Sequence, residues 1–174
     1  MSFAKHLLLS DIAYSAWANQ CLLDGCSAFT GEELERDLRV SHTSILATLR
    51  HFYDGERVWL PSLRDTPDLG TFLLPQGSAP ALSLDVLKQS WSKLWYDYRH
   101  WLQNQSESSL GVELTVQMPG SGPRLPRWKI LRHVLDHSQF HRGQVVAMIR
   151  ALGHCPPAIN RMDYWLANEP ARPT

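Results

Sequence analysis

The stretch WKILRHVLDHSQFHRGQVVAMIRALG, residues 128–153, is the most informative part of the chain, because it combines the pattern of a long amphipathic helix with three evenly spaced histidines. His133, His137 and His141 follow one another at intervals of four residues. On an α-helix, four residues advance a side chain by about 6 Å and turn it by only about 40°. His137 and His141 therefore project from one face of the helix.

Three further segments show the spacing of apolar side chains that is typical of amphipathic helices. Ser41 is a suitable N-cap for the second segment, Pro61 marks the end of that segment, and the third segment starts near Ser83. Four such helices with little strand content predict an all-α fold, a four-helix bundle. The predicted helices run from about Ser2 to Asp24, from Ser41 to about Leu60, from Ser83 through Trp101, and from Pro126 to Gly153, with a short turn near Asp163 to Leu166.

The length of 174 residues suits a single domain, which we predict to span residues 1–174. Residues 61–82 hold four prolines and two glycines and are predicted to form a surface loop. Residues 111–127 alternate apolar and polar side chains before a Pro-Gly-Ser-Gly-Pro turn. We expect a short hairpin or an extended connector there, before the last long helix.

The charge and cysteine content exclude several classes of protein. The 17 basic and 17 acidic residues cancel, which argues against nucleic acid or a membrane surface as partner. No apolar run approaches the roughly 18 residues of a membrane span, and the N-terminus lacks the small-residue cleavage site of a signal peptide. The three cysteines are odd in number and form no CxxC pair. A reduced, cytoplasmic protein is expected.

His137 and His141 occupy the apolar stripe of the last helix, where Ile, Leu or Val would be expected. An imidazole buried without partners costs a few kcal/mol, so neighbouring side chains or a metal ion must satisfy it. Because neutral imidazole is the commonest metal ligand in proteins, two histidines four residues apart in the apolar stripe favour a bound metal ion over hydrogen bonds to neighbouring side chains. His133 lies about two turns from His141, too far to share its ion. We expect a second-shell, pocket-lining or surface role for His133.

A third ligand should come from a facing helix, and His51 in the second helix is the best candidate. Thr48 and Gly55, about one turn to either side, are small and leave space beside its ring. An ion held by three histidines with an open fourth position is typical of a catalytic site. Zinc is the default ion, although nickel, iron and cobalt bind the same ligands. We expect a capping or surface role for His42, ordinary roles near helix ends for His6, His100 and His154, and no ligand role for Asp136.

Several blocks of the sequence resemble the DinB / YfiT-like family of metal-dependent enzymes. These blocks are AYSAWANQCLL (13–23), SHTSILATLRHFYDGERVWL (41–60), LRHVLDHSQFHRGQVVAMIRALGHCPP (131–157) and the closing MDYWL (162–166). The HRGQ that follows the HxxxH pair is the most specific of them. The resemblance implies a four-helix bundle, commonly a homodimer, in which His51, His137 and His141 bind zinc or nickel.

The same resemblance implies a function. Family members with known activity are thiol S-transferases, which join low-molecular-weight thiols such as bacillithiol or mycothiol to electrophilic small molecules; a related branch is a thiol-dependent isomerase. Our first hypothesis is therefore a transferase whose nucleophile is a metal-bound thiol. Two alternatives stay open. One is a hydrolase that uses metal-bound water. The other is a non-catalytic module in which the metal links the second and fourth helices and the bundle acts through dimerisation or stress-linked ligand binding.

Overall fold

The computed structural model describes residues 2–40, 42–64, 82–116 and 122–168. The four long helices of these ranges pack into a bundle, which confirms the all-α prediction. In chain order the elements are α1 (Phe3–Cys26), α2 (Gly31–Glu35), α3 (Ile45–Leu63), α4 (Leu84–Gln103), α5 (Glu107–Leu110), β1 (Glu113–Thr115), β2 (Arg124–Pro126), α6 (Arg127–Ala151) and α7 (Arg161–Asn168).

The core lies between two extensively packed helix pairs, α3 with α6 and α1 with α4. Contacts of α1 with α6 and of α3 with α4 close the bundle. Each long helix buries large apolar side chains, for example Leu22, Phe52, Trp91 and Val145, none of which is more than 1% exposed. Burying one such side chain stabilises the fold by about 1.5–3 kcal/mol, so the apolar stripes hold the helices together.

The start of α3 lies later in the chain than predicted. Ser44 is its N-cap, because the Ser44 hydroxyl accepts a hydrogen bond from the Ala47 backbone N–H at 3.1 Å. Ser41, the predicted N-cap, lies outside the described residues. His42 and Thr43 therefore belong to the loop that precedes α3 rather than to the helix.

The end of α3 lies at Leu63, so the prediction that Pro61 ends this helix is wrong. Proline in a helix removes one backbone hydrogen bond. Leu60 and Leu63, only 4% and 0% exposed, pack in the core on either side of Pro61, and their burial offsets that loss. Of the predicted surface loop 61–82, residues 65–81 lie outside the described part of the chain.

The connector before α6 forms the expected hairpin. Strands β1 and β2 are antiparallel, with Leu114 opposite Leu125. Of the predicted Pro-Gly-Ser-Gly-Pro turn at 119–123, residues 119–121 lie outside the described part of the chain. Helices α2 and α5 were not predicted, because helices of five and four residues are too short to show an apolar period. Helix α7 is longer than the single turn expected. None of the helices described is both long and apolar enough to span a membrane.

Candidate metal centre

Four histidines meet where α3 faces α6, and we refer to them as the histidine cluster. His51 comes from α3, His137 and His141 come from α6, and His42 comes from the loop before α3. His141 is only 4% exposed, and the other three rings are half-buried. The cluster thus lies at the edge of the core, within reach of a small molecule from solvent.

The two histidines of α6 lie side by side. The Nε2 atoms of His137 and His141 are 3.0 Å apart, as expected from their spacing of four residues. Around a tetrahedral ion with bonds of about 2.0–2.1 Å, two donor nitrogens stand about 3.3 Å apart. The pair is therefore close to the separation that one shared ion requires.

His51 faces this pair across the helix interface. Its ring centroid lies 4.8 Å from that of His141 and 5.6 Å from that of His137. The predicted trio of His51, His137 and His141 is therefore brought together at one place in the fold.

His42 is the member of the cluster that the sequence analysis missed. Its ring stacks on that of His51 with centroids 3.9 Å apart and planes inclined by 19°, and it lies 5.5 Å from the ring of His141. One nitrogen from each of His42, His51 and His141 lies within 4.8 Å of the others, and this trio could hold a metal ion. The expectation that His42 caps a helix or faces solvent is wrong.

A tight turn places His42 over His51. Thr43 has a φ of 62°, which is uncommon for a β-branched residue. Its backbone N–H donates to the carbonyl of Val40 at 2.8 Å, and its own carbonyl accepts from the N–H of Leu38 at 2.7 Å. These two hydrogen bonds hold the turn closed just before α3 begins.

Gly55 provides room for His137. A Cβ built on Gly55 would overlap the His137 ring and would lie 3.1 Å from its Nε2. We expected Gly55 to leave space beside His51. In the structure, its missing side chain instead allows the His137 ring to pack against the backbone of α3. Close approach of the two helices at this point brings the ring of His137 within reach of His51.

Burial keeps the imidazoles neutral. Together with a smaller contribution from the neighbouring histidines, it lowers the pKa of His137 to about 3 and that of His51 to about 4. Burial is also the main reason why the pKa values of His42 and His141 are lowered. At neutral pH each ring therefore keeps an unprotonated nitrogen, which is the form that binds a metal ion.

Gln144 orients the ring of His141. The Gln144 Oε1 lies 2.8 Å from the Nδ1 of His141. Because an amide oxygen only accepts, the hydrogen of the neutral ring is assigned to Nδ1, and the lone pair is on Nε2, which faces His137. A partner on the outer nitrogen is a usual feature of metal-binding histidines. This contact gives the Gln of the HRGQ motif a physical role.

The remaining histidines lie at or beyond the rim of the cluster. His133 is exposed, with its ring 5.2 Å from that of Trp59 and 6.0 Å from that of His137. Asp136 is exposed and pairs with Arg132 at 3.0 Å, away from the cluster. Elsewhere, His6 is exposed, His100 stacks with Tyr96, and the Nε2 of His154 lies 2.8 Å from a Glu33 carboxylate oxygen.

A buried carboxylate behind the cluster was also missed. Glu56 is 0% exposed, and Trp91 donates its indole N–H to the Glu56 Oε2. The Glu56 Oε1 accepts hydrogen bonds from the Ser138 hydroxyl at 2.6 Å and from the Asn19 amide at 3.2 Å. Asn19 accepts in turn from the buried Arg142 at 2.8 Å. The network joins all four long helices, and Ser138 is the residue after His137.

Burial raises the pKa of Glu56 to about 7, although the hydrogen bonds from Ser138 and Trp91 oppose this shift. A signal for Glu56 exists in the sequence. The core stripe of α3 steps from Phe52 to Glu56 to Trp59, so the glutamate occupies a position where an apolar residue would be expected. The hydrogen-bond donors to its carboxylate come from the other three long helices, so they are known only once the helices are packed.

A helical bundle with a cluster of neutral imidazoles that could hold an ion defines a class of candidate metal-binding proteins. The family model described as the DinB family matches residues 1–172, and the chain belongs to this family.

Two relatives agree with this assignment. The chain is 26% identical to Protein DinB of Bacillus subtilis (strain 168) over 147 residues, which cover 81% of this chain and 83% of that protein. It also resembles the crystal structure of a DinB-like protein from Bacillus cereus ATCC 10987, with a TM-score of 0.69 and 18% identity. That likeness covers 88% of this chain and 95% of the other, and it shows that the two share a fold.

Proposed function

We propose that this chain is a metal-dependent thiol S-transferase acting on electrophilic small molecules, with one divalent ion held by His51, His137 and His141. The 3.0 Å separation of the His137 and His141 Nε2 atoms, opposite His51, is the observation that carries the proposal. When bound, the ion would lower the pKa of a thiol towards neutrality and so favour the thiolate. Zinc or nickel is the proposed ion, because the ligands are all imidazoles.

The residues around the cluster support this chemistry. Gln144 holds the His141 ring so that its Nε2 faces inward. Phe52 stacks near the same ring with centroids 5.9 Å apart and is itself fully buried, so water is excluded from the core side. Phe140, which is 63% exposed, lies 5.1 Å from His141 on the outer side. An apolar small molecule could rest against Phe140 beside the cluster.

The thiol must come from a co-substrate rather than from the chain. Cys21 lies on α1, Cys155 lies beyond α6 and is exposed, and burial raises the pKa of Cys26 to about 12. In the proposed reaction a bond forms between the sulfur of a low-molecular-weight thiol and the electrophilic carbon. The bond from that carbon to its leaving group breaks, the leaving group takes the electron pair, and the thiol proton passes to solvent.

The carboxylates near the cluster favour a transferase over a hydrolase, which would need a general base for its water. Asp54 pairs with Arg57 at 3.2 Å, and Glu56 is enclosed by its own hydrogen-bond donors. A purely structural ion is also disfavoured, because α3 and α6 already pack through the fully buried Leu49 and Val145. Burial of apolar side chains therefore stabilises the bundle without a metal ion.

The setting of the protein forms part of the same proposal. We place it as a homodimer in a reducing cytoplasm, in line with the family resemblance and with three free cysteines. A small-molecule electrophile that arises under stress is the proposed substrate, and a thiol such as bacillithiol or mycothiol is the proposed co-substrate.

The experiment that tests the function is a conjugation assay. Zinc- or nickel-loaded protein is incubated with bacillithiol or mycothiol and 1-chloro-2,4-dinitrobenzene, and the S-conjugate is measured by mass spectrometry. We expect catalysis by the wild type and by the control His100→Ala, whose ring lies on α4 away from the cluster. His51→Ala and His141→Ala should fall to the uncatalysed rate. Equal rates for the wild type and His141→Ala would exclude the proposed site.

A further inference from the structure

Two adjoining cavities form a cleft on a different part of the bundle from the histidine cluster. All the residues that line them come from α1, α4 and α7, so neither α3 nor α6 contributes to the walls. The inner cavity has a volume of about 430 Å³ and the outer one about 730 Å³. Both volumes lie in the range of small-molecule sites. The two cavities share Ala13, Arg99, Tyr164 and Asn168, and we call them together the α1–α4 cleft.

Aromatic side chains dominate the inner cavity. Trp17 and Tyr164 lie on one side with ring centroids 5.4 Å apart, and Trp91, Trp95 and Tyr96 of α4 line it from the other helix. Tyr96 is 67% exposed, which is unusual for so large a ring in a folded domain. Aromatic walls of this kind favour a flat apolar group, because rings stack face to face with an offset or meet edge to face.

Two cationic side chains line the cleft among otherwise neutral polar groups. Arg99 lines both cavities, is exposed, and makes no ion pair or hydrogen bond with any residue in the described ranges. Lys5 lines the outer cavity, and within the described ranges its ammonium donates to the neutral backbone carbonyls of Gln103 and Gln105, at 2.8 and 2.6 Å. None of the described residues that line the cleft is Asp or Glu. The cleft therefore favours an anion.

A buried hydrogen-bond donor in the same wall lacks a partner. Trp95 is 3% exposed, and its indole Nε1 has no acceptor among the described residues. The neighbouring donors are already used, since Asn19 and Trp91 both donate to Glu56. Because this nitrogen is itself inaccessible, a ligand in the inner cavity would contact the Trp95 ring rather than its N–H.

We propose that the α1–α4 cleft binds a small organic carboxylate with a flat aromatic body. The aromatic body lies among the rings of Trp17, Tyr164 and Tyr96. The carboxylate pairs with the guanidinium of Arg99, which has no partner among the described residues. This site is separate from the histidine cluster and does not depend on the transferase activity, because it shares no wall with α3 or α6.

The test is a calorimetric titration with 2-naphthoate, carried out on chelator-treated protein so that the anion cannot bind through a metal ion. We expect saturable binding to the wild type. Binding should be weaker by about tenfold or more for the uncharged 2-naphthamide and for Arg99→Gln, since both remove the charge pair.

Arg150→Gln is the matched control, because Arg150 is exposed on α6 outside the cleft. It should bind 2-naphthoate as the wild type does, and circular dichroism confirms that each variant is folded. The proposal is overturned if the wild type does not bind 2-naphthoate. It is also overturned if Arg99→Gln and Arg150→Gln bind it equally, or if the naphthamide binds as tightly as the acid.

Discussion

Gly55 of α3 lies against the imidazole of His137 on α6, so closely that a Cβ at position 55 would overlap the ring. This contact sets the distance between the two helices where they carry the histidine cluster. The absence of a side chain at position 55 is what allows His137 to stand beside His141 and opposite His51. The relationship leads directly to a test of the cluster that leaves every histidine in place.

Gly55→Ala should weaken metal binding by at least about tenfold, because the added methyl group displaces the His137 ring from its position. The ring is the end of a side chain with two rotatable bonds, so it can swing aside, and we expect the apo-protein to remain folded. Affinity for zinc, measured by competition with a chromogenic chelator, checks the prediction.

Gly143→Ala is the control for this substitution, since a Cβ at that exposed position of α6 meets nothing within 4 Å. It should leave zinc affinity unchanged and stabilise the helix by about 0.5–1 kcal/mol. Wild-type affinity in Gly55→Ala would show that the position of His137 does not matter for the ion.

Gln144→Ala should weaken zinc binding by about 10–100-fold, because it removes the acceptor that orients the His141 ring at 2.8 Å. The same competition assay measures the effect. Gln139→Ala is the matched control, as Gln139 is exposed on the same helix and should not contribute. An equal affinity for both variants would mean that the contact with Gln144 does not support the site.

The buried Glu56 predicts a pH dependence of stability. Its pKa in the folded protein is about 7, against an ordinary value of 4.5, so protonation favours the folded state. The stabilising contribution is complete below pH 4.5 and is lost as the pH rises through 7. The free energy of unfolding of the wild type, minus that of Glu56→Gln, should therefore fall by about 3 kcal/mol over this interval.

Urea unfolding at a series of pH values measures this difference. The subtraction removes the contribution of the histidines, whose lowered pKa values act in the opposite direction below pH 6.5. Glu107→Gln, an exposed carboxylate at the start of α5, should keep the pH dependence of the wild type. The prediction fails if the difference in unfolding free energy between the wild type and Glu56→Gln stays constant or rises with pH.

Removal of the metal should leave the fold intact. The interface of α3 with α6 contains Leu49, Phe52 and Val145, all fully buried, so it does not need an ion to hold it together. Chelation should therefore release the metal while the far-ultraviolet circular dichroism keeps its helical signal. Loss of helicity in step with loss of metal would instead favour a structural staple.

Much of the fold could be predicted from local patterns. The apolar stripe of α4 from Leu87 to Leu102 and the start of this helix near Ser83 agree with the structure, because apolar periodicity is a property of neighbouring residues. The same reasoning placed His137 and His141 on one face of α6. Pro61 was misleading, since the burial of the leucines around it is a tertiary effect that no local rule contains.

The unpredicted parts of the site depend on tertiary contacts. His42 reaches the cluster only because the chain turns at Thr43 with a positive φ, and helical periodicity does not report the direction of a loop. Glu56 appeared as a gap in the stripe of α3, and its partners Asn19, Trp91 and Ser138 lie on three other helices. Neither could be placed before the helices were packed.

We predict that His51, His137 and His141 hold one metal ion, and we would test this by measuring zinc content after equilibrium dialysis. Wild-type protein and the variants His42→Ala, His51→Ala, His137→Ala and His141→Ala are dialysed against the same zinc buffer and analysed by elemental mass spectrometry. We predict about one equivalent in the wild type and in His42→Ala, and almost none in the other three. Retention of zinc by His137→Ala together with its loss from His42→Ala would contradict the claim and assign the ion to the trio that includes His42.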